Sequence, residues 1–171
     1  GMPDIHLLDV VNFDNFAGGP DFNEPIAASA TGLFYMDDTA VQMFGSGLDQ
    51  TAVSIGFESL DRNALVSVRR YNGSFEGDYP SEILVIGNNS YWWVNSSPAL
   101  ADFTATLSVH YNLLSGIETP ADIQLLKTEA PNTDLEIQET EWQSWDQTIL
   151  SSDLNEFSFW ALGSLTNDNS L

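Results

Sequence analysis

The sequence predicts an all-β fold, an antiparallel β-sandwich of the immunoglobulin-like or jelly-roll kind. Three observations carry this. Apolar and polar residues alternate with the two-residue period of half-buried strands in several stretches. Those stretches recur about every ten residues with turn signals between them. Almost no stretch shows the 3.6-residue period of a helix, which argues against a βαβ fold. With 171 residues the chain suits one domain, long enough to bury a core without disulfide staples.

Residues 1–38 are the least regular. From Asp9 to Glu24, Asp, Asn, Gly and Phe mix with neither period, so this N-terminal segment is expected to be loop-rich, with an edge strand of the same domain as its regular part. The sandwich is expected over 39–165. There Val53, Ile55 and Phe57 alternate with Ser54, Gly56 and Glu58, and a strand at 65–71 ends at the turn pair Asn72-Gly73. Strands at 82–86 and 91–94 are separated by Gly87-Asn88-Asn89. The clearest strand follows, where Phe103, Ala105, Leu107, Val109 and Tyr111 alternate with Thr104, Thr106, Ser108 and His110. A short helical turn fits 113–117, and Thr119-Pro120 leads into a strand at 123–127. Phe157, Phe159 and Ala161 alternate less cleanly with Ser158 and Trp160. Residues 166–171 are polar and read as a tail or linker. Gly1 before Met2 looks like a cloning remnant, so the chain is expected to be a piece of a longer protein.

Charge narrows the partners. Twenty-five acidic residues face four Lys and Arg, for a formal net charge of −21. Nucleic-acid binding draws its non-specific affinity from Lys and Arg on phosphates, so it is excluded as a function, and anionic membrane surfaces are disfavoured for the same reason. Solvation, divalent cations and a basic partner remain as explanations of the acidity. No apolar run is long enough to span a bilayer as a helix, so membrane insertion is not expected.

The chain has no Cys and two His, which removes disulfides, thiolate chemistry and a Cys nucleophile. His6 and His110 stand in no zinc-binding spacing, and His110 falls on the polar face of the clearest strand. No G-x-S-x-G elbow supports a serine hydrolase. Paired carboxylates for glycoside hydrolysis must occur by abundance alone, so they carry no information. No catalytic residue is assigned and the chain is not expected to be an enzyme. The sequons at Asn72, Asn88 and Asn95 are taken as chance. Arg69 and Arg70 must point to opposite faces of their strand, one of them partly buried against a carboxylate.

Two groups remain as candidate sites. Tyr91, Trp92 and Trp93 are consecutive, so on a strand Trp92 faces one way and its neighbours the other. With one face in the core, the other is expected near solvent, where a Trp can either cover an edge or stack on a sugar. Trp142 and Trp145, beside an acidic segment, raise the same two readings. Asp14, Asn15, Asp21, Asn23 and Glu24 place five oxygen-bearing side chains in a short loop, with Asp37 and Asp38 following. That chemistry suits calcium, with Asp14, Asp21, Asn23 and Glu24 as its ligands, although the spacing matches no EF-hand or nonapeptide repeat. No other cofactor is expected.

The order and spacing of 66–71 (Val-Ser-Val-Arg-Arg-Tyr), 91–94 (Tyr-Trp-Trp-Val), 103–111, 120–125 (Pro-Ala-Asp-Ile-Gln-Leu) and 157–164 resemble a β-sandwich module. Such modules occur in large secreted and cell-surface proteins of Bacteroidetes-type bacteria, of the kind preceding a C-terminal sorting domain. The resemblance spans roughly 39–164 and implies a secreted or cell-surface, non-catalytic module flanked by other domains of a longer parent protein, without implying a ligand. The function expected is therefore an interaction or spacer module. A carbohydrate-binding module using a Trp platform, with a glycan as partner, is the alternative, and a glycan-active hydrolase a distant third.

Overall fold

A computed structural model describes residues 5–7, 28–36, 41–43, 51–60, 64–73, 75, 77–97, 100–129 and 133–171. Among them the strands are β1 (Ile5–Leu7), β2 (Ala28–Met36), β3 (Val41–Met43), β4 (Val53–Ser59), β5 (Ala64–Asn72), β6 (Val85–Ser97), β7 (Thr104–His110), β8 (Ile123–Thr128), β9 (Glu136–Ile137), β10 (Glu141–Gln143), β11 (Thr148–Leu154) and β12 (Phe159–Ser164). They form two sheets: seven strands in the order β1-β2-β5-β6-β12-β8-β9, and five in the order β10-β11-β7-β4-β3. Every pairing is antiparallel. The fold is all-β and consistent with a β-sandwich.

The main core lies between the sheets. Val53, Ile55 and Phe57 of β4 and Ala105, Leu107 and Val109 of β7 meet Val66 and Val68 of β5, Trp92 and Val94 of β6, and Trp160 and Leu162 of β12. Alternation on β7 is clean because its other face, from Thr104 to His110, is half-buried at every second residue. The seven-stranded sheet is different, because its outer face is covered too. There Tyr71, Tyr91, Trp93, Leu126, Phe159 and Ala161 form a second cluster under Phe75, Ile83 and Leu135. All six residues of β12 are consequently buried, and a strand buried on both faces has no reason to alternate.

Three local expectations change. Instead of two strands separated by a turn at 87–89, β6 runs through from Val85 to Ser97. The two-residue step from Ala161 to Gly163 on β12 faces the five-residue step from Ile86 to Tyr91 on β6, so the Gly and Asn residues make a bulge within one strand. The helical turn expected over 113–117 is a 3-10 turn at Tyr111–Leu113, and a second one at Pro120–Asp122 carries Pro in its first turn.

Residues 166–171 are not a free linker. The Asn169 side chain accepts the Glu118 and Thr119 N–H groups at 2.8 and 2.9 Å and donates to Ser164 Oγ at 3.0 Å. Leu171 is buried in the main core. Gly116 makes this docking fit: its φ is +81°, and a Cβ there would lie 2.1 Å from the Ser170 carbonyl oxygen.

Candidate functional site

The first candidate group is structural on both faces of its strand. Trp92 is fully buried and its Nε1 donates to the Thr51 carbonyl at 2.7 Å. Tyr91 and Trp93 point the other way, yet they are only 5% and 6% exposed. Tyr91 stacks on Tyr71 with ring centroids 5.0 Å apart, Trp93 stacks on Phe159 at 6.1 Å, and Phe75 meets Tyr91 edge-on at 5.4 Å. The expectation that one of these faces would lie near solvent is not met. The connection between β5 and β6 folds back over the sheet and brings Phe75 and Ile83, while Leu135 arrives after β8. A sugar has no ring face to stack on here.

Trp142 and Trp145 are the opposite case, at 44% and 80% exposed. Both belong to the β10–β11 hairpin. The ladder ends at Gln143 opposite Thr148, leaving Ser144 to Gln147 as the turn, and Gln147 closes it with φ 58°. Trp142 pairs with Ile149, whose side chain is in the core. It therefore shares that residue's face of the sheet at the outermost strand. Its Nε1 donates to the Tyr111 hydroxyl at 3.3 Å. Trp145 sits in the turn itself.

Beside this hairpin runs a groove of about 430 Å³ lined by Glu139, Thr140, Glu141, Leu150, Ser152 and Asp153. Two local features build it. A register irregularity between Ser151 and Leu154 on β11 turns Ser152 and Asp153 outward, with Asp153 at φ 58°, the re-aiming of side chains that bulges produce. Thr140 accepts the Leu125 N–H at 3.0 Å and donates to the Gln138 carbonyl at 2.8 Å, tying the segment before β10 to β8. A larger groove, about 700 Å³, lies at the β8–β9 side and is lined by polar residues including Glu129, Asp134, Glu136 and the Lys127–Glu156 ion pair.

His110 lies on the outer face of the five-stranded sheet. Its Nε2 and Ser54 Oγ hydrogen-bond at 2.9 Å, and Asp146 attracts it through space. Burial lowers its pKa below the usual imidazole value, and Asp146 only partly opposes that. Ser54 is buried, and Asp146 Oδ1 accepts the Thr148 hydroxyl at 2.7 Å. The three groups make a cross-strand polar cluster. Of the paired arginines, Arg70 donates from Nε to Ser90 Oγ at 2.8 Å, and burial lowers its pKa. Arg69 lies over the Tyr71 ring, 5.1 Å from its centroid.

The calcium candidates Asp14, Asp21, Asn23 and Glu24, with Asn15, Asp37 and Asp38, lie outside the described residues. Among the described residues, no group of three or more His, Cys, Asp or Glu is placed to hold a metal ion, and no helix is long and apolar enough to cross a membrane. Neither a family model, a curated protein nor a solved structure matches the chain.

Of the site residues named from sequence, the structure brings Trp142 and Trp145 together on one exposed hairpin and puts Tyr91, Trp92 and Trp93 inside the protein. Sequence reasoning missed Glu139, Glu141 and Asp153 beside that hairpin. One signal could have found them: after Lys127 the chain has nine acidic residues and no Lys, Arg or His.

Proposed function

We propose that this domain is a non-catalytic interaction and spacer module of an exported or cell-surface protein, and that it makes its contact through the β10–β11 hairpin. One observation carries the reading. Large aromatic side chains are packed on both faces of the seven-stranded sheet, whereas the β10–β11 hairpin holds two tryptophans in solvent. Burial on that scale makes a stiff body, and an exposed Trp pair is the usual composition of a contact surface. The order of the apolar segments, similar to that of modules in secreted and surface proteins, supports the exported setting and a place among other domains of a longer parent.

A second reading is favoured by the same hairpin. Trp145, at 80% exposed, offers a ring on which a neutral sugar could stack, with Glu141 and Gln143 near enough in sequence to bond its hydroxyls.

The test is a turnover screen on the purified domain with glycan, ester and peptide substrates, beside limited proteolysis with proteinase K. A stiff non-catalytic module resists the protease and turns over nothing. Turnover that disappears on His110→Asn or on neutralising Glu139 and Asp153 would overturn the reading, and rapid cleavage within 64–97 would remove the spacer half of it.

A further inference from the structure

We infer that the exposed Trp142–Trp145 hairpin docks a cationic segment of a partner protein, one presenting Lys or Arg side chains in extended chain. This deepens the proposed function and rests on it.

The hairpin has an apolar contact surface and no cation of its own. From Thr128 to Leu171 the chain supplies nine carboxylates and not one Lys, Arg or His. The last base, Lys127, is held by Glu156. The Trp145 ring, 80% exposed in the turn, is the one open to a cation from outside, and a guanidinium or ammonium over an indole face is attracted by the ring quadrupole.

The adjoining groove fits the same ligand. Leu150, itself buried, lies at its base, and Glu139, Glu141 and Asp153 line it for the charged head. Groove and turn belong to one hairpin: Glu141 opens β10, and Trp145 lies in the turn that follows Gln143.

Charge decides among occupants. A second copy of the chain carries the same −21 and is repelled, and anionic glycans, nucleic acid and anionic lipid are repelled likewise. A neutral glycan gains from the rings but nothing from the ionic charge. A Lys- or Arg-bearing segment gains from both, and its association is steered.

The experiment titrates the protein with an octa-arginine peptide, with a Gly-Ser octapeptide as neutral control and a neutral oligosaccharide series as the competing class. Trp fluorescence and calorimetry are read at 50 and 500 mM salt. Expected are binding and quenching by the arginine peptide only, weakened at least tenfold by Trp145→Ala, partly restored in Trp145→Phe, and weakened at least tenfold by Glu141→Gln with Asp153→Asn. A control variant neutralised elsewhere, Glu58→Gln with Asp102→Asn and Glu118→Gln, should bind within twofold of the parent, and melting curves of all variants establish that they fold. The inference is overturned by no binding, by equal weakening in the control variant, by indifference to Trp145→Ala, or by oligosaccharide binding that depends on Trp145 where the peptide's does not. None of these outcomes reports turnover or protease resistance, so the inference can fail while the non-catalytic reading stands.

Discussion

Five tryptophans divide between two environments. Trp92, Trp93 and Trp160 are at most 6% exposed, while Trp142 and Trp145 are at 44% and 80%. Both groups sit on antiparallel strands or their turns, so neither residue type nor strand period separates them. What differs is the chain available to cover them. The long connection between β5 and β6 returns over the outer face of the seven-stranded sheet and brings Phe75 and Ile83 with it. The β10–β11 turn has four residues, too few to fold back over its own tryptophan. Coverage by non-adjacent chain decides which aromatic surface becomes core and which stays available for contact.

The hardest way to break this contrast is to remove the cover. Phe75→Ala should destabilise the domain by about 3 kcal/mol, the usual loss for a buried Phe, and should expose Tyr91 and Trp93, measured as a lower urea midpoint and a red-shifted Trp emission. Unchanged emission would mean that the outer aromatic cluster packs without its lid. Within the buried group, Trp92 and Trp160 differ in one bond. Trp92 Nε1 donates to the Thr51 carbonyl, whereas Trp160 Nε1 has no partner among the described residues. Trp92→Phe takes a donor from the Thr51 carbonyl, and Trp160→Phe removes an unsatisfied donor. The first should therefore cost about 1–2 kcal/mol more than the second. Equal losses in chemical denaturation would show that volume alone sets the cost.

Much of the fold was legible for reasons visible in particular strands. On β7 one face is core and the other half-buried, so its residues alternate and its span was read from sequence to within a residue. On β12 both faces are buried, and the alternation blurs for that reason. Gly87, Asn88 and Asn89 are turn formers, so the sequence splits β6 into two strands, and only the long-range pairing with β12 makes them a bulge. The hairpin strands β10 and β11 were not named as strands. β10 is only three residues long, and the sequence leaves Trp142 and Trp145 with two readings, cover for the sheet or a binding platform. Which tryptophans would be exposed was not legible at all, since exposure depends on the path of residues far away in sequence.

Smaller effects sharpen the comparison from the exposed side. Trp142 stands between the two groups, half in solvent, with a hydrogen bond to Tyr111. Trp142→Ala should cost about 1 kcal/mol, the worth of one partly exposed hydrogen bond with its packing, seen as a modest shift in the denaturation midpoint. The neighbouring His110 adds a pH dependence. Burial lowers its pKa in the folded state, so below the unfolded value of 6.5 the unfolded chain binds more protons than the folded one. Stability then falls as pH drops through that value and levels off below the folded pKa. Because the imidazole is only half-buried, the slope is shallow. Denaturation midpoints of the parent and His110→Asn, compared between pH 7.5 and 5, should converge as pH falls. Parallel curves would remove the burial argument.

The smallest expected effect is also the most discriminating. Trp145 is 80% exposed and lies in a turn, so little apolar area is recovered from water when it folds, and Trp145→Ala should leave stability within about 0.5 kcal/mol of the parent. The same substitution should remove most of the acrylamide-quenchable Trp fluorescence, because Trp92, Trp93 and Trp160 are shielded and Trp142 is partly so. A large ring left in water without a stabilising role is available for contact. If Trp145→Ala instead unfolds the protein as readily as Phe75→Ala does, the hairpin tryptophan belongs with the buried group, and the contact surface proposed for it has no basis.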